Sequence, residues 1–185
     1  SILICPWKHG QCKDGADLGA LEIKKIIERY STNNVLDITQ DYANTETYNK
    51  KIFDISSKLN GNRLTIGGDH SIGVGTVLST LQQNPDTCVI WIDAHPDINT
   101  MDTSSTKNVH GMPLSFLTGL ENSWSWVNSM PILKFEDLHY FGIRDFDEFE
   151  VKLIKKQNIH VFHNVNEIIH MMKLDKYQQF HISFD

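Results

Sequence analysis

A chain of 185 residues, 40 % apolar and 22 % charged, is long enough for one domain with a sizeable core and has an ordinary soluble composition. A formal charge of −6 with scattered lysines argues against a nucleic-acid surface, and no apolar run approaches the ~20 residues that a membrane helix needs. The three cysteines, Cys5, Cys12 and Cys88, lack metal-site spacing; with no leader visible, their odd count points to a reducing, cytoplasmic setting.

The chain opens on a strand-like run at residues 2–5. Residues 16–30 follow, with Leu18, Leu21, Ile23, Ile26 and Ile27 at helical spacing. A short strand is expected at 35–39. A helix is expected over 45–59, carrying Tyr48, Ile52, Ile55 and Leu59 and stopped by Asn60-Gly61. The strand at 63–66 runs into Gly67-Gly68-Asp69-His70-Ser71, whose paired glycines predict a tight turn into a helix over 71–83. Residues 88–93 form an apolar strand, and the polar stretch 102–108 is a loop. Strands at 138–142, 160–162 and 179–185 alternate with helices at 147–157 and 164–174. This alternation predicts an α/β fold, a mainly parallel sheet covered on both faces in three layers, with ligands at the carboxyl ends of the strands.

Three clusters fall at such ends. In WIDAHPDINT, Asp93, His95 and Asp97 occupy alternate positions, which in extended backbone share one face. Unpartnered there, they would cost several kcal/mol, and a divalent ion is a natural partner. Carboxylates with imidazole suit a hard or borderline ion such as Mn²⁺. The alternative is a capped loop in which Asp93 and Asp97 bind backbone amides. His70 belongs to the second cluster. The third, His181-Ile182-Ser183-Phe184-Asp185, sets His181, Ser183 and Asp185 on one face. GGDHS fits no phosphate-loop spacing.

GGDHS, DAHPDINT, NVHG and SFD, in this order, resemble the ureohydrolase family, and most closely the arginases. The likeness covers nearly the whole chain, and Ile143-Arg144-Asp145-Phe146-Asp147 is similar to the family's GxRDxD segment. Pro96 and Lys107 depart from the Thr and Gly usual there. The resemblance implies an arginase/deacetylase-like fold and two Mn²⁺ ions bridged by a hydroxide that attacks the guanidinium of L-arginine, giving L-ornithine and urea. It implies His70, Asp93, Asp97 and Asp185 on one ion, His95 on the other, and Asp93 and Asp185 bridging. His110 takes the proton-shuttle position, a task suited to a group titrating near neutrality. Asn99, Ser104, Thr106 and Asn108 match positions that receive the α-carboxylate, and Asp147 the residue that meets the α-amino group. Lys107 would reshape this loop or add positive charge beside the carboxylate.

The family continues past SFD with a further Asp and a glutamate, and its eighth strand lies between the third and seventh. Seven strands are counted here, so residues 1–185 are expected to be a single ureohydrolase-type domain truncated after Asp185, with the interior of the sheet open. A homo-oligomer, trimer or hexamer, is implied by resemblance. Agmatinase or another guanidino-hydrolase is the alternative within the class. A non-catalytic, truncated metal-binding or regulatory subunit is the alternative outside it.

Overall fold

The computed structural model describes residues 1–30, 35–38, 41–173 and 176–185. Among the described residues seven strands are formed: β1 Ile2–Cys5, β2 Val35–Asp37, β3 Leu64–Gly67, β4 Cys88–Ile92, β5 Leu138–Phe141, β6 His160–Phe162 and β7 Phe180–Phe184. The helices are α1 Ala16–Tyr30, α2 Thr45–Ser56, α3 Gly73–Gln83, α4 Pro113–Leu117, α5 Glu148–Gln157 and α6 Val165–Lys173. Thr39 and Leu174, the expected ends of a strand and a helix, lie outside the described residues. No helix among the described residues is long and apolar enough to cross a membrane.

All the strand pairs are parallel, in two sheets of order β2-β1-β3 and β6-β5-β4-β7. The sheet, expected with its interior open between the third and seventh strands, is interrupted there: β3 and β7 have no common partner among the described residues. Their edges line a cleft of about 720 Å³ together with Arg63 and Thr80.

β4 is buried on both sides, and its alternation sorts two cores. Val89 and Trp91 face α3, α4 and α5 in the larger one. Cys88 and Ile90 face α6 and Tyr177 in the smaller one. A third cluster joins β1 to α2 through Leu3, Trp7, Tyr48 and Ile52. The site lies at the carboxyl ends of β3, β4 and β7, where three chain segments leave the sheets together.

Candidate metal centre

β4 stops at Ile92, so Asp93, His95 and Asp97 do not share a strand face as expected. They are brought together by a turn in which Asp97 adopts the left-handed φ of 48°. The turn is pinned on every side. The Asp93 amide donates to Phe141 O (3.1 Å) and the Leu114 amide to Asp97 O (3.0 Å). Tyr140 Oη donates to Pro96 O (2.9 Å), and the Ile98 amide to Glu150 Oε1 (3.3 Å).

His70 arrives from β3 in a 3₁₀ turn, His70–Ile72, capped by Asp69. Gly68 is needed here for close approach rather than for a tight turn. A Cβ on it would lie 1.8 Å from Trp7 O, a distance no side chain tolerates. Asp185 arrives beside β4, its amide donating to Ile92 O (3.0 Å).

These segments converge on one imidazole nitrogen. His70 Nδ1 lies 2.9 Å from Asp93 Oδ2, 2.9 Å from Asp97 Oδ2 and 3.7 Å from Asp185 Oδ2. His70, Asp93 and Asp97 are buried, and their ligand atoms lie within 4.8 Å of one another. His70 Nε2 is 2.7 Å from Ser183 Oγ, an outer partner of the kind that orients metal-binding imidazoles. The ring also stacks on Trp91, centroids 3.9 Å apart. Burial lowers the His70 pKa, but hydrogen bonds to Asp93 and Asp97 outweigh it and leave the imidazole raised. Burial raises Asp97 above the usual carboxylate range. Burial acts on Asp93 in the same sense, but the His70 and His95-amide hydrogen bonds leave it lowered. Two buried carboxylates sharing one imidazole fit a divalent cation that prefers oxygen and nitrogen donors.

His95 stands at the rim, exposed, with Nδ1 3.4 Å from Asp93 Oδ1 and Nε2 3.6 Å from Asp145 Oδ2. The five ligand candidates are therefore contiguous, three buried and two exposed. Asp145 was not singled out from the sequence, although it sits in the quoted IRDFD segment. Glu150 was also missed. Burial pushes it up to about 7. Its position three residues after Asp147 is a legible capping box, with the Glu150 amide donating to Asp147 Oδ1 (3.1 Å).

His181 and Ser183 do share the face expected of β7. His181 Nδ1 meets Thr80 Oγ1 at 2.9 Å while Ser183 meets His70. His110 lies in the 3₁₀ turn Val109–Gly111, half-buried, and burial lowers its pKa.

The loop residues divide into two groups. Asn99 Nδ2 donates to Asp147 Oδ2 (2.8 Å), so these two are brought together. The loop hydroxyls bond within the loop: Ser104 Oγ lies 3.5 Å from Thr106 Oγ1 and accepts from the Lys107 amide (3.1 Å), and Thr106 Oγ1 accepts from the Asn108 amide (3.3 Å). Asn108 Oδ1 accepts from Cys12 Sγ (3.5 Å). Lys107 has a left-handed φ of 61°, and its Nζ folds back onto Met101 O.

The model of the arginase family matches residues 1–185. The chain is 30 % identical over 232 residues to an arginase of Glaciozyma antarctica, covering 100 % of this chain and 66 % of that protein. It is 30 % identical to the hepatic arginase of Aquarana catesbeiana, covering 100 % of this chain and 69 % of that one. Among solved structures, Entamoeba histolytica arginase in complex with L-ornithine aligns with a TM-score of 0.86 at 30 % identity, covering 100 % of this chain and 73 % of that chain. The chain thus spans about two thirds of the length of these curated relatives.

Proposed function

The chain belongs to the arginase family, and on that premise we propose that the protein hydrolyses the guanidinium group of L-arginine to L-ornithine and urea with two Mn²⁺ ions. The observation that carries this reading is the convergence of Asp93 and Asp97 on His70 Nδ1, each at 2.9 Å, with Asp185 and His95 at its margin. His70, Asp93, Asp97 and Asp185 would hold one ion; His95, with Asp93 and Asp185 shared, would hold the other. Bound there, the ions would supply Lewis-acid activation of a water at neutral pH, which a guanidinium carbon, a poor electrophile, requires.

The chain's own residues do the rest. His110 would carry a proton to the departing amine, and its lowered pKa favours a neutral imidazole that can take up and return one. The Asn99–Asp147 pair would receive the α-amino group. Ser104, Thr106 and Asn108 would exchange their bonds within the loop for the α-carboxylate. A site that hydrogen-bonds a carboxylate discriminates strongly against a substrate without one. The proposed assembly is a homo-oligomer, trimer or hexamer.

The test is urea release by the full-length protein, with manganese content measured on the same sample. L-arginine is expected to be turned over well ahead of agmatine with about two Mn²⁺ per chain. Faster turnover of agmatine would overturn the substrate, and no urea from either would overturn the activity.

A further inference from the structure

Asp69 lies between His70 and His110 and serves both. It is buried, and each carboxylate oxygen accepts a different backbone amide. Oδ1 accepts from Ser71 N (3.0 Å) and caps the turn that presents His70. Oδ2 accepts from Gly10 N (2.9 Å). The Gly10 carbonyl in turn accepts from the His110 amide (3.0 Å). Asp69, Gly10 and His110 are remote in sequence but form one continuous hydrogen-bonded line.

Two further observations place the Trp7–Gly10–Cys12 segment as a spacer between the turns. A Cβ on Gly10 would lie 2.3 Å from Asp69 Oδ1 and 2.5 Å from Ser71 Oγ, so no side chain fits at that point. On either side the segment is tied again: Trp7 O accepts from the Asp69 amide (2.8 Å), and Cys12 Sγ donates to Asn108 Oδ1 (3.5 Å). A cap needs only one acceptor, and Asn or Ser would serve as well as Asp. The second carboxylate oxygen is used on Gly10.

We propose that Asp69 and Gly10 are positioning residues that fix His110 relative to the His70–Asp93–Asp97 cradle. The proposal rests on the arginase reading only for the proton role of His110. Asp69 makes charge-assisted bonds to the His70 turn and to Gly10, whose carbonyl holds the His110 amide, so a shift of the His70 turn is passed through Gly10 to the His110 turn. In proton transfer this matters, because a misplacement of about 1 Å lowers a rate by about 10²-fold.

The test uses the full-length, Mn²⁺-loaded protein with Asp69→Asn and Gly10→Ala. Asp69→Asn keeps one acceptor for the cap and turns an NH₂ toward the Gly10 amide, so it breaks the line with little change in volume. Hydrogen exchange read by mass spectrometry is expected to accelerate in peptides spanning 8–12 and 108–112 but not in 93–98. Turnover is expected to fall by about 10²-fold with KM and Mn²⁺ content kept. Gly10→Ala is expected to act in the same direction and more strongly. Unchanged exchange at 108–112 in Asp69→Asn would overturn the proposal. So would loss of Mn²⁺ in proportion to activity, which marks a merely structural role. If the parent protein released no urea, the arginase reading would fall, while the exchange at 108–112 would still decide whether the line holds His110.

Discussion

The two halves of the site are built in opposite ways. The side chains of His70, Asp93 and Asp97 are 7 %, 3 % and 7 % exposed, whereas those of His95, Asp185 and Asp145 are 58 %, 62 % and 81 % exposed. Burial makes an unpartnered polar group expensive, so the cradle is held by a closed set of hydrogen bonds before any ion arrives. The rim is under no such demand. Water satisfies His95 and Asp145, and their geometry depends on what they bind. A preorganised half and an adaptable half should differ most in how they hold metal.

Removing one proposed ligand from each half breaks that comparison most sharply. Asp97→Ala is expected to weaken the tightest Mn²⁺ by more than about 100-fold, beyond what the loss of a supporting partner alone produces. His95→Ala is expected to leave that first affinity within about tenfold and to lower the stoichiometry from two ions to one. Titration calorimetry of the full-length protein reads both numbers. Equal losses in the two variants would mean that the cradle is no more preorganised than the rim.

The same contrast governs what was legible in the sequence. Residues 16–30 and 160–162 were readable as elements because helical or strand periodicity is a local property, and the structure forms them there, while the strand expected at 88–93 ends one residue earlier at Ile92. The identities of Asp93, His95 and Asp97 were readable, but their geometry was not. Alternate spacing predicts a shared strand face, and instead Asp97 closes a turn at φ 48°. The paired glycines predict a turn, which forms into the 3₁₀ turn at His70, while the close contact of Gly68 with the Trp7 backbone is not legible in the sequence. Both differences are made by partners distant in the chain, Phe141 and Tyr140 in one case and Trp7 in the other. The gap between β3 and β7 was legible by resemblance alone, because strand order is a non-local property. Asp147 was legible by resemblance alone, while its cap on α5 follows from elementary helix chemistry.

Buried imidazoles sharpen the comparison from the other face of the sheet. His70 is held raised by carboxylates, but His139 on β5 is buried with neither ring nitrogen partnered among the described residues. Burial, with His160 and Lys176 nearby and only Asp137 opposing them, lowers its pKa from 6.5 to about 4. Desolvation of the half-buried His181, with Arg63 and His70 nearby, likewise lowers it to about 4. Each is neutral in the fold where the unfolded chain would already be protonated. Their contribution is therefore complete above pH 6.5 and is lost as pH falls from 6.5 toward 4. His139→Phe removes one of the two titrations and keeps a ring against Phe162. It is expected to recover on the order of 2 kcal/mol at pH 4.5 relative to pH 7.5, measured by denaturant unfolding at both values. An unchanged acid loss would place that proton uptake elsewhere.

The smallest effect is expected where the two halves use the same backbone conformation. Asp97 and Lys107 are both left-handed, at φ 48° and 61°. For a residue with a Cβ this conformation costs roughly 1–2 kcal/mol. At Asp97 the strain aims a carboxylate at His70, so glycine there would relieve it and lose the tight ion. At Lys107 the side chain only closes its own loop on Met101 O, in solvent. Lys107→Gly is therefore expected to raise stability by about 0.5 kcal/mol, the relief being offset in part by the greater freedom of glycine in the unfolded chain. Calorimetric melting of the full-length protein reads this gain, and KM for L-arginine is expected to change by less than about threefold. A rise in KM of about tenfold or more would mean that the Lys107 ammonium leaves Met101 for the substrate carboxylate. In that case the loop rearranges on binding, and the rim is adaptable in its backbone as well as in its side chains.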